Sequence, residues 1–379
     1  MALRRLRLLV TAHGCAHRNP YHRPMTRWPN FVPLLAALLL AVAWALPGQP
    51  LLLGACVPAL VAAVVAAVHH AEVVAHRVGE PFGTLLLAVA ITVIEVALIV
   101  SMMLSGGPDK AALPRDTIFA TLMIICNGVV GLCLLLGGMR HHEQHFHIQG
   151  AGSALAALVA LSGLSLVLPA FTTSSPGVTY STAQLLFAAA ASTLLWAVFV
   201  FVQTVRHRDY FLPAANPADE SLHAHPPSAR QAGASAALLL LALVGVVGLA
   251  KLLSPLIESA VETTGAPHAT IGIAIALLVL LPETTAAVRA ARANRLQTSL
   301  NLALGSALAS IGLTIPAVAL ASLWLDMPLE LGLRPKELVL LCLSFGVATL
   351  TLASGRTTVM QGAVHLVMFA AFLFLTLVP

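Results

Sequence analysis

Eleven long apolar runs, separated by short polar breaks, restrict what this chain can fold into. Each is close to the roughly 20 residues that a helix needs to cross the hydrocarbon core of a bilayer. Charged residues make up only 9% of the sequence, against about 25% in soluble domains. The sequence therefore predicts an all-α polytopic membrane protein with about 11 transmembrane helices. The runs fall near residues 31–46, 51–75, 83–105, 116–138, 150–170, 181–204, 233–253, 267–289, 297–324, 335–353 and 358–378.

The basic residues predict how these helices are oriented. With the N-terminus in the cytoplasm, 15 of the 20 Lys and Arg residues lie on the cytoplasmic side, which is the bias found in multi-pass membrane proteins. The excess of Arg over Lys, 17 to 3, is typical of a GC-rich bacterial genome. We therefore expect a bacterial inner (plasma) membrane protein with a periplasmic C-terminus. Either Met1 or Met25 is its first residue.

Two polar stretches divide the chain. Residues 1–30 are basic, contain no acid and are predicted to form a cytoplasmic tail. Residues 206–231 contain His and Pro and are predicted to form a cytoplasmic linker. Between and after them lie residues 31–205, a leading helix with a first unit of five helices, and residues 232–379, a second unit of five helices.

The two units carry matching acidic and glycine positions. Glu72 is followed seven residues later by Gly79, and Glu258 is followed seven residues later by Gly265. The second and seventh runs cross the membrane in opposite directions in the predicted topology. The pattern therefore predicts one leading helix plus two inverted five-helix repeats, an architecture of many secondary transporters.

A further glutamate lies within an apolar run of each unit. Glu95 follows Glu72 by 23 residues, and Glu283 follows Glu258 by 25 residues. A charge this deep in a bilayer costs about 2.5–3.5 kcal/mol on insertion scales, and no basic residue lies at matching depth in the same runs. A bound cation or a proton is the expected partner, and exchange between the two is the chemistry of an antiporter. The alternative is a protonated glutamate that bonds a neighbouring helix.

Other oxygen atoms near these glutamates are candidate ligands. Pro282 has no N–H, so the carbonyl of Leu278 four residues earlier is freed. Asn127 and Ser306 place polar side chains in apolar helices, where they supply either oxygen ligands or interhelical hydrogen bonds. Sites made only of oxygen favour calcium, sodium or magnesium over zinc.

The acids nearer the helix ends receive a different prediction. Glu72 and Glu258 are candidates for gating or proton transfer at opposite mouths of the site, with plain interfacial acids as the alternative. His69, Glu72 and His76 share one helical face and could bind a transition metal, although a pH-responsive cluster is favoured. The histidine-rich run at residues 140–147 is predicted to be a solvated cytoplasmic loop.

Several function classes are disfavoured by the sequence. It contains no phosphate-binding G-x-x-x-x-G-K-[ST] motif, no H-E-x-x-H and no G-x-S-x-G, so an enzyme is not expected. Its five cysteines form no C-x-x-C pair, and no disulfide, cofactor or nucleic-acid partner is predicted. Inorganic cations, protons and the lipid bilayer are the expected partners, and a passive channel remains an alternative.

At these residues the sequence resembles the calcium/proton antiporters of the calcium:cation antiporter superfamily, in particular the bacterial ChaA-type branch. Residues 69–83 look like the second span and following loop of that branch. Residues 91–95, 281–283 and 304–306 fall where its two alpha-repeats place their glutamates and a Gly-Ser pair. The resemblance covers about residues 31–379.

The resemblance implies the one-plus-five-plus-five fold and export of cytoplasmic calcium against inward proton flow. It also implies that Glu95 and Glu283 are the cation and proton ligands. The superfamily usually has Gly-Asn ahead of each glutamate, whereas this chain has Ile-Thr at 91–92 and Val-Leu at 279–280, which leaves the Thr92 hydroxyl as an auxiliary ligand. Because a monovalent cation needs fewer oxygens, a sodium or potassium/proton antiporter is the alternative.

Overall fold

The structure, a computed structural model, describes most of the 379-residue chain. Its described residues are 28–79, 82–106, 110–211 and 227–378, without the side chains at 82–85, 106, 258 and 262.

Twelve α-helices carry the described chain, together with one pair of two-residue strands. The helices are α1 (Trp28–Ala45), α2 (Pro50–Val78), α3 (Phe82–Gly106), α4 (Leu113–Met123), α5 (Val130–His141), α6 (Ile148–Ser162), α7 (Thr182–Phe201), α8 (Ala229–Thr264), α9 (Ala269–Arg292), α10 (Leu296–Trp324), α11 (Pro335–Leu352) and α12 (Val359–Leu377). The strands are β1 (Gln144–His145) and β2 (Arg356–Thr357).

Shorter turns extend several of these helices. A π-helix at Ile124–Val129 joins α4 and α5 into one continuous span. Further π-helices follow α6 at Gly163–Val167 and α7 at Val202–Arg206, and single 3₁₀ turns lie at Leu168–Ala170 and Arg208–Tyr210.

The predicted number of spans is confirmed, since 11 helical stretches of the described chain are long and apolar enough to cross a membrane. The boundaries differ most where polar residues extend a helix. Helix α8 begins at Ala229, inside the predicted linker, and ends at Thr264 rather than near residue 253. Helix α1 begins at Trp28, inside the predicted tail, and the rest of that tail, residues 1–27, lies outside the described residues. So do residues 212–226 of the linker.

The two halves repeat the same local structure. Gly79 after α2 and Gly265 after α8 both have a left-handed backbone, with φ of 79° and 66°, a conformation that glycine adopts without steric cost. The packing contacts between the halves are also repeated. Helix α3 packs on α10, and its counterpart α9 packs on α4. In the same way α5 packs on α12, and α10 packs on α7. This reciprocal pattern is the one expected of two inverted repeats.

The buried apolar side chains form two clusters. The smaller cluster comes mainly from α1, α2, α3 and α8, and the larger one mainly from α4 to α7 and α10 to α12. Helix α9 contributes to both, with Ile275 and Val279 in the smaller cluster and Ala276 and Leu280 in the larger one. The boundary between the clusters therefore passes along α9 and between α3 and α10.

The strand pair ties together the loops at one end of the larger cluster. Strands β1 and β2 are antiparallel, and the Gln144 amide donates to the Ala291 carbonyl at 2.9 Å and to Asn294 Oδ1 at 3.0 Å. Gln144 is only 1% exposed. The histidine-rich run at residues 140–147 is therefore partly buried in this end of the fold and is not the fully solvated loop that the sequence predicts.

Glycines allow a close helix contact in the larger cluster, between α5 and α12. A β-carbon on Gly131 would lie 2.9 Å from His365 Cβ, and one on Gly362 would lie 2.7 Å from Leu135 Cα. Small residues at such crossings let helix backbones approach in membranes.

Substitution of Gly362 by alanine is expected to destabilise the protein. The added methyl group would collide with backbone atoms of α5, and overpacking of this kind costs about 1–3 kcal/mol. Gly346→Ala is the matched control, because Gly346 lies within α11 and a β-carbon there would meet nothing within 4 Å. Thermal unfolding in detergent should give a lower Tm for Gly362→Ala, and an unchanged or higher Tm for the control. Equal Tm values would contradict the close contact.

Candidate functional site

Glu95 is buried in the middle of α3 and is held by α10. It is 3% exposed, and the Ser310 hydroxyl lies 2.9 Å from its Oε1 and 2.7 Å from its Oε2. The Thr314 hydroxyl lies 3.4 Å from Oε2. Ser310 and Thr314 are four residues apart and so project from the same face of α10. Both hydroxyls are therefore placed to donate to the Glu95 carboxylate.

Glu283 is buried on α9 in different surroundings. It is 8% exposed, and neither of its carboxylate oxygens has a hydrogen-bond partner among the described residues. It follows Pro282, which lies inside the helix. A buried carboxylate without donors is strongly disfavoured as an anion, so this side chain requires a proton or a cation.

Electrostatic interactions join the acids of the two halves. The Glu283 carboxylate interacts with the charges of both Glu95 and Glu72. Glu72 in turn interacts with Arg289 and His76. Helix α3 also packs on α9, so the two deep glutamates predicted from the repeat lie on helices that contact each other.

Three of the predicted auxiliary residues lie on helices α3, α9 and α10, and they differ in burial. Thr92 is buried one turn before Glu95, and its hydroxyl donates to the Ala88 carbonyl at 3.0 Å. Ser306 is half-buried one turn before Ser310. Leu278 is half-buried on α9, and Pro282 cannot donate to its carbonyl. These three residues lie on the helices of the site.

Asn127 is directed to other partners. Its side-chain nitrogen donates to Ser344 Oγ at 2.8 Å, and its oxygen lies 3.4 Å from His365 Nδ1. The side chain therefore bonds α11 and α12, which is the interhelical alternative left open by the sequence.

The acids near the helix ends are only partly described. Glu72 lies on an exposed position of α2, while the side chain of Glu258 lies outside the described part of the structure. No group of three His, Cys, Asp or Glu residues in the described chain is arranged to hold a metal ion, so His69, Glu72 and His76 do not form a metal site. The neighbouring His70 is buried, and its Nε2 lies 3.1 Å from the Pro29 carbonyl.

Ser310 and Thr314 are the site residues that the sequence analysis missed. A signal was present, because Ser306, Ser310 and Thr314 recur every four residues along an apolar helix. A single polar position per turn is also typical of interhelical packing, so the spacing alone does not distinguish the two roles.

Comparison with known proteins decides the family. The family described as sodium/calcium exchanger protein matches residues 48–205 and 234–378, which is most of the chain and both of its halves. This chain belongs to that family. The members of this family are transporters. The chain is a multi-pass membrane protein of a cation-exchanger family that occurs in bacteria.

Individual relatives agree with this assignment. The protein y4hA of Sinorhizobium fredii is 50% identical over 365 residues, covering 94% of this chain and 97% of its own length. The sodium-potassium/proton antiporter ChaA of Escherichia coli is 35% identical over 308 residues, covering 81% and 83%. The solved structure of native YfkE aligns with a TM-score of 0.70 at 17% identity, over 93% of this chain and 100% of YfkE, and confirms the exchanger fold.

Removal of the Ser310 hydroxyl is expected to weaken cation binding. Ser310→Ala removes the hydroxyl oxygen that would coordinate the cation beside the Glu95 carboxylate, so the half-saturating cation concentration should rise roughly 10-fold to 100-fold, as it does when a partner is lost at metal sites. The measurement is cation-dependent proton flux in membrane vesicles over a range of pH.

Ser105→Ala is the control for this measurement. Ser105 lies on the same helix as Glu95, and its hydroxyl bonds only the Ser101 carbonyl of that helix, at 3.0 Å. It should match the wild type. An unaltered cation dependence in Ser310→Ala would mean that this hydroxyl does not support the carboxylate.

Proposed function

We propose that this protein is a secondary-active antiporter that exports a cytoplasmic cation in exchange for protons. Glu95 and Glu283 bind the cation and the protons in turn. The observation that carries the proposal is the burial of two carboxylates, one from each half of the chain, on helices α3 and α9, which pack against each other. One of them has hydroxyl donors and the other has none.

Charge balance explains the exchange. When both carboxylates are ionised, the buried site carries two negative charges, which a low-dielectric interior strongly disfavours. A cation or protons can relieve this cost, but the same oxygens cannot serve both at full occupancy. Protonation from the periplasm releases the cation, and loss of the protons to the cytoplasm allows the next cation to bind.

Calcium is the first candidate for the cation. A divalent ion neutralises both carboxylates, as two protons do. Calcium takes six to eight oxygen ligands; two bidentate carboxylates supply four, and the hydroxyls of Ser310 and Thr314 would bring the total to six. Thr92, Ser306 and the Leu278 carbonyl are the candidate auxiliary oxygens on the same helices.

Sodium or potassium is the second candidate. The specific support is the 35% identity with an antiporter whose name specifies sodium, potassium and protons. A monovalent ion would leave one negative charge, which a proton on the second carboxylate neutralises. Glu283, which has no hydrogen-bond donor among the described residues, is then the proton carrier in the loaded state.

Alternating access is proposed to occur at the boundary between the two apolar clusters. Glu95 belongs to a helix of the smaller cluster, and Ser310 to a helix of the larger one. Rocking of one helix group against the other would open the site to one side at a time. Glu72, which interacts with Glu283 and Arg289, is proposed to transfer protons or gate at one mouth, and Glu258 at the other.

Neutral substitution of either deep glutamate is expected to abolish exchange. In inverted vesicles with a preset pH gradient, calcium, sodium or potassium should collapse the gradient through the wild-type protein. Glu95→Gln and Glu283→Gln remove the exchangeable charge and should each reduce this flux at least about tenfold, a loss of 1.4 kcal/mol or more. Comparison of the three ions identifies the transported cation.

Glu143→Gln is the matched control. Glu143 pairs with Arg356 at 3.5 Å on a partly exposed surface, where an ion pair contributes little. It should retain the wild-type flux. Persistence of cation-driven collapse in both Glu95→Gln and Glu283→Gln would remove these residues from the site, and cation flux without proton flux would indicate a channel.

The proposed orientation places the N-terminus in the cytoplasm and the C-terminus in the periplasm of a bacterial inner membrane. Single cysteines at Thr173, in a loop, and at His145, in strand β1, test it in a chain without the five native cysteines, since both positions are exposed. In intact spheroplasts, a membrane-impermeant maleimide should label Thr173→Cys but label His145→Cys only after lysis, because this orientation puts the two loops on opposite sides. The reverse result would invert the topology.

A further inference from the structure

A chain of hydrogen bonds around His365 joins α11, α12 and the π-helix of the fourth span. The Thr351 hydroxyl lies 3.1 Å from His365 Nε2, and Asn127 Oδ1 lies 3.4 Å from Nδ1. Asn127 also donates to Ser344, whose hydroxyl donates to the Leu340 carbonyl at 2.7 Å. Cys126 of the π-helix lines the small cavity beside the imidazole.

The bonding pattern suits a neutral imidazole with its proton on Nδ1. An amide oxygen can only accept, so Nδ1 is the donor to Asn127, and the Thr351 hydroxyl donates to Nε2. His365 is fully buried. The small cavity beside it is lined by Cys126 and five aliphatic side chains, so the thiol is the only other titratable group there among the described residues.

The π-helix that this network holds lies beside the candidate site. A β-carbon on Gly272 of α9 would lie 2.9 Å from the backbone of Asp116 and Thr117 in α4. At the other end, the His141 imidazole lies 3.0 Å from the Arg292 carbonyl. The fourth span and α9 therefore run in the same direction.

The π-helix around Asn127 packs on α9, the helix that carries Glu283. The π-helix also packs on α10, the helix of Ser310. It thus forms a wall of the site between the helices that carry Glu283 and Ser310.

We propose that His365 is a positioning residue that fixes the π-helix around Asn127 against the cation site, through hydrogen bonds and not through proton uptake. A π-helix is irregular and often lies at a functional site. Its backbone is held in place by contacts that a regular helix does not need. His365 bonds the side chain of Asn127 and lines the same small cavity as Cys126, so it restrains the π-helix at Asn127. This inference rests on the proposed cation site.

Two amide substitutions separate positioning from proton transfer. In His365→Asn the side-chain amide lies near the place of Nδ1 and retains the bond to Asn127, without a titratable ring. In His365→Gln the amide reaches the place of Nε2, so it keeps Thr351 and loses Asn127. Thr351→Val removes only the hydrogen bond between the Thr351 hydroxyl and His365 Nε2.

Cation-driven proton flux and the cation-dependent rise in Tm of the purified protein are measured for each variant with calcium, sodium and potassium. His365→Gln should raise the half-saturating cation concentration roughly 10-fold to 100-fold, as loss of an outer partner does at metal sites, while the maximal rate stays near that of the wild type. His365→Asn and Thr351→Val should stay close to the wild type in affinity and in the pH profile. The Tm without cation shows whether each variant folds.

The results also separate this inference from the function on which it depends. If the wild type drives no proton flux with any of the three ions, the exchange is wrong, and the cation-dependent Tm still tests the positioning of the site. Equal loss of flux in His365→Asn and His365→Gln would show that the imidazole itself takes up protons and would overturn the inference. Wild-type affinity in His365→Gln, or no cation effect on the Tm of the wild type, would overturn it as well.

Discussion

The burial of two carboxylates within an apolar helix bundle is the constraint on which the rest of this structure depends. Removing a carboxylate from water costs several kcal/mol unless a partner compensates, and the described chain offers no basic side chain in an ion pair with Glu95 or Glu283. Glu95 obtains hydroxyl donors from α10, and Glu283 obtains none from the described residues. The fold therefore maintains a site whose stability depends on what binds to it.

The two repeats surround their buried carboxylates with different polar groups, although their backbones match. Pro282 immediately precedes Glu283, whereas Ile94 precedes Glu95. A proline in a helix removes one backbone hydrogen bond and frees a carbonyl, so α9 offers a backbone oxygen where α3 does not. Glu95 instead faces hydroxyls, which can donate to a carboxylate or coordinate a cation. Inverted repeats need not give equivalent half-sites. Here the carboxylate that lacks hydrogen-bond donors among the described residues, that of Glu283, belongs to the second half.

The sequence predicted those features that depend on one helix at a time. Apolar length defined the spans, and the paired spacing of Glu72 with Gly79 and of Glu258 with Gly265 indicated the repeat that the two left-handed glycines confirm. The depth of Glu95 and Glu283 followed from the same counting. Their partners did not, because the choice among Ser306, Ser310 and Thr314 depends on how α10 is rotated and shifted against α3.

The network around His365 was equally hidden from the sequence. Thr351 and His365 are joined across the turn that contains β2, and Asn127 comes from the other half of the chain, so no local pattern brings them together. The burial of Gln144 has the same origin, since a strand of two residues leaves no periodicity to read. Both features are tertiary contacts made by polar residues that, viewed singly, are typical of loops or helix packing.

The contrast between the two packing boundaries argues for where the protein moves. The crossing of α5 and α12 is fixed by backbone contact at Gly131 and Gly362 and by the His365 network, none of which involves Glu95 or Glu283. The boundary between α3 and α10 is instead bridged by Ser310 and Glu95, and a cation or proton competes for the same oxygens. A hydroxyl that donates to a bare carboxylate must turn its hydrogen away to coordinate a cation. In the proposed function, occupancy of the site would therefore alter the contact between the two clusters directly, which is the coupling that alternating access requires.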